Sequence, residues 1–125
     1  MQDLLLKQLQ YECDTWKRLL AFLMDENVHL KNRLSEIVKN RDGTTSLNEI
    51  ERFQTDFLKG DELIKVLRDD ISEVDKLLQK EVFEDGALEK KIQTKFSKIR
   101  VNIPLAERQL GQLKKDFNNY LLANA

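Results

Sequence analysis

The chain is poor in the residues that build catalytic and metal sites, and in those that interrupt helices. Its 125 residues include one cysteine, one histidine, one proline and four glycines. One cysteine cannot form a disulfide within the chain, and together with one histidine it supplies too few ligands for a zinc site. No apolar run approaches the ~18 residues that a membrane-spanning helix needs. These scarcities argue against a disulfide-stapled domain, a zinc domain and a membrane span.

Signatures of catalysis are also missing. The sequence contains no glycine-rich phosphate loop and no Ser/His/Asp arrangement. Its only histidine, His29, follows Glu26 in a Glu-x-x-His pattern, but di-iron bundles that use this pattern need further core carboxylates and a second histidine. Cys13 lies on a predicted apolar helix face and is interpreted as a small buried hydrophobe. We therefore expect no enzyme activity, no metal and no other cofactor.

Charge and targeting signals indicate no special environment. The formal net charge of −1 gives no overall attraction to nucleic acid or to anionic membranes. The first residues, MQDLLLKQLQ, contain the acidic Asp3 and lack a cationic segment before an apolar core, so we expect no signal peptide. With one cysteine and no expected membrane span, the predicted location is a reducing compartment, most simply the cytoplasm.

What the sequence does contain is a long heptad pattern. Between positions 6 and 37, mostly apolar residues recur at spacings that alternate between three and four residues. Because an α-helix has 3.6 residues per turn, this spacing places them in one stripe along a single helix, as in the a/d seam of a coiled coil. The stripe consists of Leu6, Leu9, Cys13, Trp16, Leu20, Leu23, Asn27, Leu30, Leu34 and Ile37.

Two further stripes of the same kind follow, and turn signals separate them. Arg41-Asp42-Gly43 and Glu84-Asp85-Gly86 are typical helix ends, and Ser46-Leu47-Asn48-Glu49 is a capping box that starts a helix. The second stripe consists of Ile50, Phe53, Phe57, Gly60, Ile64, Leu67, Ile71, Val74 and Leu78. The third consists of Ile92, Phe96, Ile99, Ile103, Ala106, Leu110, Leu113, Phe117 and Tyr120.

These features predict an all-α fold, a single up-down-up three-helix bundle over residues 1–125 with coiled-coil-like packing. The helices are expected at about 3–40, 47–83 and 87–122. Charged residues make up 34% of the chain and aromatic residues 7%, which suits long helices and gives no indication of strands. Apolar residues at the positions that flank the seams favour three helices. The alternative architecture is an open hairpin that completes its core in a dimer.

The turn positions also predict which residues of the three seams face one another. A hairpin that turns near Gly43 sets Leu34 opposite Phe53, with each a position facing a d position. A second hairpin, turning near Asp85, sets Phe53 opposite Phe117. The same register holds along all three stripes, so the chain is expected to pack in regular layers.

One layer, formed by Asn27, Gly60 and Leu110, breaks the apolar pattern. Asn27 is interpreted as a polar residue that fixes the register, with a ligand or hinge contact as the alternative. Gly60 weakens its helix by about 1 kcal/mol relative to alanine. The unbroken heptad favours a continuous helix over a break recapped by Asp61. Pro104 lies at an outward position, where a kink is favoured over a break.

Some apolar residues fall outside the seams, and these are the candidate partner-binding residues. They are Phe22, Val101, Leu105 and Tyr11. We hypothesise that a helix of a protein partner, or a second copy in a homodimer, docks against the region of Phe22 and Leu105. The predicted function is a non-enzymatic protein–protein interaction or scaffolding module, with no membrane partner.

Charge is unevenly distributed and suggests the alternative function. Residues 47–85 contain twelve acids and six bases, whereas residues 89–116 contain eight bases and three acids. The favoured interpretation is that neighbouring helices attract each other. The alternative is a nucleic-acid-associated protein that uses the basic face of helix three, made of Lys90, Lys91, Lys95 and Lys98. The absence of stacking aromatics on that face argues against it.

Overall fold

The computed structural model describes residues 3–40, 47–80 and 86–124, and within these ranges the chain forms three α-helices and no strand. Helix α1 spans Asp3–Lys39, α2 spans Leu47–Leu78 and α3 spans Gly86–Ala123. The three helices pack against one another around a common core. The predicted all-α three-helix bundle is therefore confirmed.

Some of the predicted helix-end signals cannot be compared with the structure. Gly43, Ser46 and the Glu84-Asp85 pair lie outside the described residues. At the start of α1, Asp3 lies in the first turn, where a carboxylate interacts favourably with the free amides of the helix end.

Helix α2 is shorter than predicted. The expected continuation to residue 83 is wrong at positions 79 and 80, because the helix ends at Leu78. The amide of Gln79 is shared between the carbonyls of Asp75 at 3.2 Å and Lys76 at 3.3 Å, and the amide of Lys80 bonds the carbonyl of Leu77. Hydrogen bonds between residues three apart, as in a 3₁₀-helix, are common in the last turn of an α-helix and tighten it.

Ion pairs between the helices establish their directions. Lys17 of α1 lies 2.6 Å from Asp75 of α2, and Lys31 lies 2.6 Å from Asp61. As the residue number rises in α1 it falls in α2, so these two helices are antiparallel.

The other two helix pairs follow the same logic. Arg100 of α3 pairs with Glu12 of α1, and Lys114 pairs with Glu26, with the same separation of 88 residues in both pairs. Helices α1 and α3 are therefore parallel, and the topology is up-down-up as predicted.

The core follows the predicted seams and divides into two clusters. The larger cluster contains the layers on one side of Asn27, from Leu9 to Leu23 in α1. The smaller cluster is aromatic and contains Phe53, Phe57 and Phe117 on the other side. The polar layer at Asn27 separates the two apolar clusters, although all three helices run through it.

Both residues that were expected to disturb a helix lie within continuous helices. Gly60 is inside α2 and Pro104 is inside α3. Pro104 is exposed, as its outward position in the heptad requires. The predicted continuity of both helices is confirmed. No helix within the described ranges has an apolar stretch long enough to cross a membrane.

The difference between seam and surface aromatics can be tested with one pair of substitutions. Phe57 is completely buried, whereas Phe22 is 58% exposed. Phe57→Ala should lower the free energy of unfolding by about 3–5 kcal/mol, since it leaves a cavity in a packed core. Phe22→Ala should change it by no more than about 0.5 kcal/mol. Urea unfolding followed by circular dichroism measures both, and similar losses for the two variants would contradict the register.

Candidate interaction surface

The polar layer of the core is held by hydrogen bonds between α1 and α2. Asn27 is only 3% exposed, and its Nδ2 donates to the carbonyl oxygen of Phe57 at 3.0 Å and to Oδ1 of Asp61 at 2.6 Å. Lys31 donates to the second oxygen of Asp61 at 2.6 Å. These hydrogen bonds form when α1 and α2 are aligned in this register. A polar residue that fixes the register of two helices acts in this way.

The absence of a side chain at Gly60 allows three helices to meet at this layer. A Cβ atom built on Gly60 would lie 2.9 Å from Cδ2 of Leu110 in α3 and 3.5 Å from Nδ2 of Asn27 in α1. These distances confirm that Asn27, Gly60 and Leu110 share one layer. They also show that a side chain at position 60 would force Cδ2 of Leu110 to shift.

Burial is asymmetric among the three seams. Every seam residue of α2, from Ile50 to Leu78, is buried. The seam residues that remain partly exposed all belong to α1 and α3. They are Leu6, Leu30, Ile37, Leu110 and Leu113. The seam of α2 is therefore fully covered, whereas the seams of α1 and α3 leave an opening between these two helices at Leu30 and Leu110.

This opening is a groove of about 210 Å³ whose walls are α1 and α3 alone. We call it the α1–α3 groove. Its apolar lining includes the partly buried Leu30 and Leu110 and the exposed Phe22, and the ion pair between Glu26 and Lys114 lies beside them. The full lining consists of Leu19, Phe22, Leu23, Glu26, Asn27, Leu30, Glu107, Leu110, Gly111 and Lys114. The groove thus combines an apolar floor with charges of both signs.

The four candidate partner-binding residues are all exposed, but they do not form one surface. Phe22 lines the α1–α3 groove, whereas Tyr11, Val101 and Leu105 do not. Leu105 is seven residues, two helical turns, beyond Lys98, which lines a groove between α2 and α3. Leu105 therefore lies on the side of α3 that faces α2, away from Phe22. The docking hypothesis stays a prediction, and the geometry concentrates it on Phe22.

The basic face of α3 lies partly against the acidic face of α2. Nζ of Lys95 is 2.7 Å from Oε1 of Glu73. The pKa of Glu73 is lowered by this hydrogen bond and by the charges of Lys95, Lys91 and Lys98. These contacts support electrostatic attraction between neighbouring helices, and nothing in the geometry of Lys90 or its neighbours adds to the nucleic-acid alternative.

Cys13 lies in the core and is protected from reaction. Its side chain is completely buried. Burial, and secondarily the negative charge of Asp75, raises the pKa of the thiol from 9.0 to about 12. The thiolate is the reactive form of cysteine, so Cys13 lacks the low pKa of a catalytic nucleophile. Among the described residues, no three His, Cys, Asp or Glu side chains are grouped as metal ligands would be.

Sequence reasoning missed three residues of this region. Asp61 was considered as a helix cap, but its side chain instead bonds Asn27 and Lys31. Glu26 and Lys114 bridge the α1–α3 groove. Glu26 was considered only as part of a Glu-x-x-His pattern, and Lys114 was not singled out. The heptad contains the missing signal, because these charges lie at the flanking positions that meet between neighbouring helices.

Comparisons with known protein families, with curated proteins and with solved structures find no match to this chain. The candidate surface is therefore argued from the geometry of this chain alone.

The role of Asn27 can be tested by replacing it with an apolar residue of similar size. Asn27→Leu should raise the free energy of unfolding by about 1 kcal/mol, because a register-fixing polar group in a core costs stability. Thermal unfolding measures the change, with the exposed Asn32→Leu as the control. A clear loss of stability in Asn27→Leu alone would show that the hydrogen bonds to Phe57 and Asp61 contribute more than apolar packing would.

The burial of Cys13 predicts slow thiol chemistry. At pH 8 a disulfide-exchange reagent should modify the folded chain at least about 100-fold more slowly than the urea-unfolded chain. Because the folded pKa is the higher one, protonated Cys13 contributes fully to stability below pH 9, and this contribution is lost as the pH rises toward about 12. Equal modification rates in the two states would contradict the buried position.

Proposed function

We propose that this chain is a non-enzymatic protein-interaction module that binds an amphipathic helix of a partner protein along the α1–α3 groove. One observation carries the proposal: α2 buries its entire seam, whereas apolar seam residues of α1 and α3 stay partly exposed on either side of one groove. Apolar surface that a bundle leaves open at a helix–helix junction is surface that a further helix can bury.

A helix suits this groove better than an extended peptide. The groove lies between two parallel helices, so a third helix can lay an apolar stripe along it, as in other helix-in-groove complexes. Both groove walls are helical, and the described residues offer no open sheet edge that an extended strand could join. Phe22 stands at the rim, where an aromatic side chain can cover the incoming helix and supply much of the contact energy.

The charges around the groove define the flanks of the expected partner. Glu26 and Glu107 are acidic and Lys114 is basic, and Glu26 and Lys114 already pair with each other. A partner with an apolar stripe and a few charges of both signs fits this rim. A strongly charged partner of one sign does not.

The proposed setting follows from the same properties. We infer a cytoplasmic location, which suits a chain whose single thiol, Cys13, is buried and has a raised pKa. A scaffold holds its partners at a fixed distance, which requires a rigid structure and no catalytic residues. Continuous helices of 37, 32 and 38 residues are suited to that role.

A photo-crosslinker placed at the rim tests the proposed site. With p-benzoyl-phenylalanine at position 22, irradiation in the native cell should yield one crosslinked protein. The crosslinker at Tyr11, which is 68% exposed on the same helix but outside the groove, should not capture it. The mass of the product separates a different protein from a second copy of this chain.

A groove-filling variant is the second part of the test. A Cβ at Gly111 would meet no atom within 4 Å, so a side chain can start at this position of the groove lining, and Gly111→Trp places an indole there. It should reduce crosslinking at position 22 at least tenfold, while Val101→Trp, which places the same side chain on α3 outside the groove, should not. Unchanged crosslinking in Gly111→Trp, or equal capture at positions 11 and 22, would rule out the α1–α3 groove as the docking site.

A further inference from the structure

Four of the nine aromatic residues of the chain pack together at one end of the rod. Phe53 and Phe57 of α2 pack with Phe117 and Tyr120 of α3, at ring-centroid distances of 5.1 to 6.4 Å. The guanidinium of Arg52 lies 4.9 Å from the centroid of the Phe53 ring. A cation of the chain itself therefore already contacts the aromatic cluster through a cation–π interaction.

A groove of about 640 Å³ lies between α2 and α3 beside this cluster, and we call it the acidic groove. Phe53, Leu113 and Tyr120 are its apolar lining. Its charged lining consists of the three carboxylates of Glu49, Asp56 and Asp116 and the single guanidinium of Arg52, which leaves a net charge of −2. This groove involves α2, so it is separate from the α1–α3 groove and independent of the function proposed for that surface.

Two of the carboxylates line the groove from opposite helices, Asp56 from α2 and Asp116 from α3. Phe53 and Phe117 share a layer, with their ring centroids 5.1 Å apart. Asp56 is one turn beyond Phe53 in the antiparallel helix, and Asp116 directly precedes Phe117, so both fall at flanking positions that meet between α2 and α3. Like charges at such positions repel. Within the described residues neither carboxylate has an ion-pair partner, although Gln112 donates a hydrogen bond to Asp116.

The groove also contains a buried hydroxyl without a partner. Tyr120 is 9% exposed, and among the described residues nothing forms a hydrogen bond with its hydroxyl. Burial first, and then the negative charge of Glu49, raises the pKa of Tyr120. The phenol therefore lies near a carboxylate that also lines the groove. Buried polar groups in native proteins are generally hydrogen-bonded, so an unpaired one at a groove indicates a missing partner.

We propose that the acidic groove binds a lysine- or arginine-bearing segment of a partner protein. Its ammonium or guanidinium group pairs with the carboxylates of Asp56 and Asp116 and donates a hydrogen bond to the Tyr120 oxygen. One cation thus relieves the repulsion between the two carboxylates and satisfies the buried hydroxyl. The aliphatic stem of the bound side chain packs on the apolar lining at Leu113.

The chemistry of the groove distinguishes this occupant from others. Its negative charge repels nucleic acid and anionic lipid headgroups. Metal ions need several ligand atoms converging on one point, and no such group of three occurs among the described side chains. A cation on a long apolar stem matches both the carboxylates and the aromatic lining.

The probe for the test is an amidated 14-residue peptide of leucine and lysine in an amphipathic helical pattern. Isothermal titration calorimetry at two salt concentrations measures its affinity, and amide chemical shifts of the ¹⁵N-labelled chain locate it. Binding should weaken with salt and shift amides in residues 49–56 and 113–124. The same peptide with glutamate in place of lysine should not bind.

Matched substitutions separate the groove from general negative charge. Asp56→Asn with Asp116→Asn should weaken peptide binding at least tenfold, and the variant should melt no lower than the parent because a repulsive pair is removed. Asp25→Asn with Asp69→Asn makes the same change of charge at the groove between α1 and α2. This control should retain the affinity within twofold.

The hydroxyl is tested separately. Tyr120→Phe should lower the affinity for the lysine peptide without lowering the melting temperature, whereas a purely structural role would leave the affinity unchanged. Three results would overturn the proposal: equal loss of affinity in both carboxylate pairs, full affinity in Tyr120→Phe, or calcium alone producing the same amide shifts and displacing the peptide. The last result would assign the groove to a small cation instead.

Discussion

The bundle depends on one contact, in which the amide of Asn27 reaches the backbone of α2 at Phe57. Gly60 lies in the same layer, where a Cβ atom would be 2.9 Å from Cδ2 of Leu110 and at an ordinary contact distance of 3.5 Å from Nδ2 of Asn27. A slip of α1 by one heptad would leave a buried amide without its acceptor, which is costly in a core. Apolar layers alone tolerate such slips, since leucine packs acceptably against many neighbours. The polar layer therefore fixes which apolar layers meet, and with them the ion pairs on the rims.

Closure around α2 and opening between α1 and α3 arise from the same arrangement. Helix α2 is central in the chain and has neighbours on both sides along its whole seam. Helices α1 and α3 meet each other across the layer where Gly60 brings Leu110 inward, and there their own leucines remain partly exposed. The polar layer thus separates the two apolar clusters and also borders the groove that is available to a partner.

Heptad spacing was sufficient to predict the three helices, their seams and the layer of Asn27, Gly60 and Leu110, because burial in a long bundle repeats with the helical turn. Heptad spacing was insufficient to predict contacts that depend on how far a side chain extends toward another helix. Asp61 bonds two residues of another helix, which spacing within α2 does not reveal. The side of α3 that Leu105 occupies depends on which flank of that helix meets α1. The early end of α2 at Leu78 depends on the amides of the last turn, where the apolar pattern no longer constrains the backbone.

The odd number of antiparallel helices has a mechanical consequence. Since α1 and α3 are parallel, Asp3 lies near one end of the rod and Ala123 near the other. At 1.5 Å per residue, the helices of 37 and 38 residues make this distance about 55 Å. A tension applied between these two residues acts along the helix axes and loads all the interdigitated layers in shear at the same time. Such a tension must disrupt many layers together, whereas peeling from one end would disrupt them one after another.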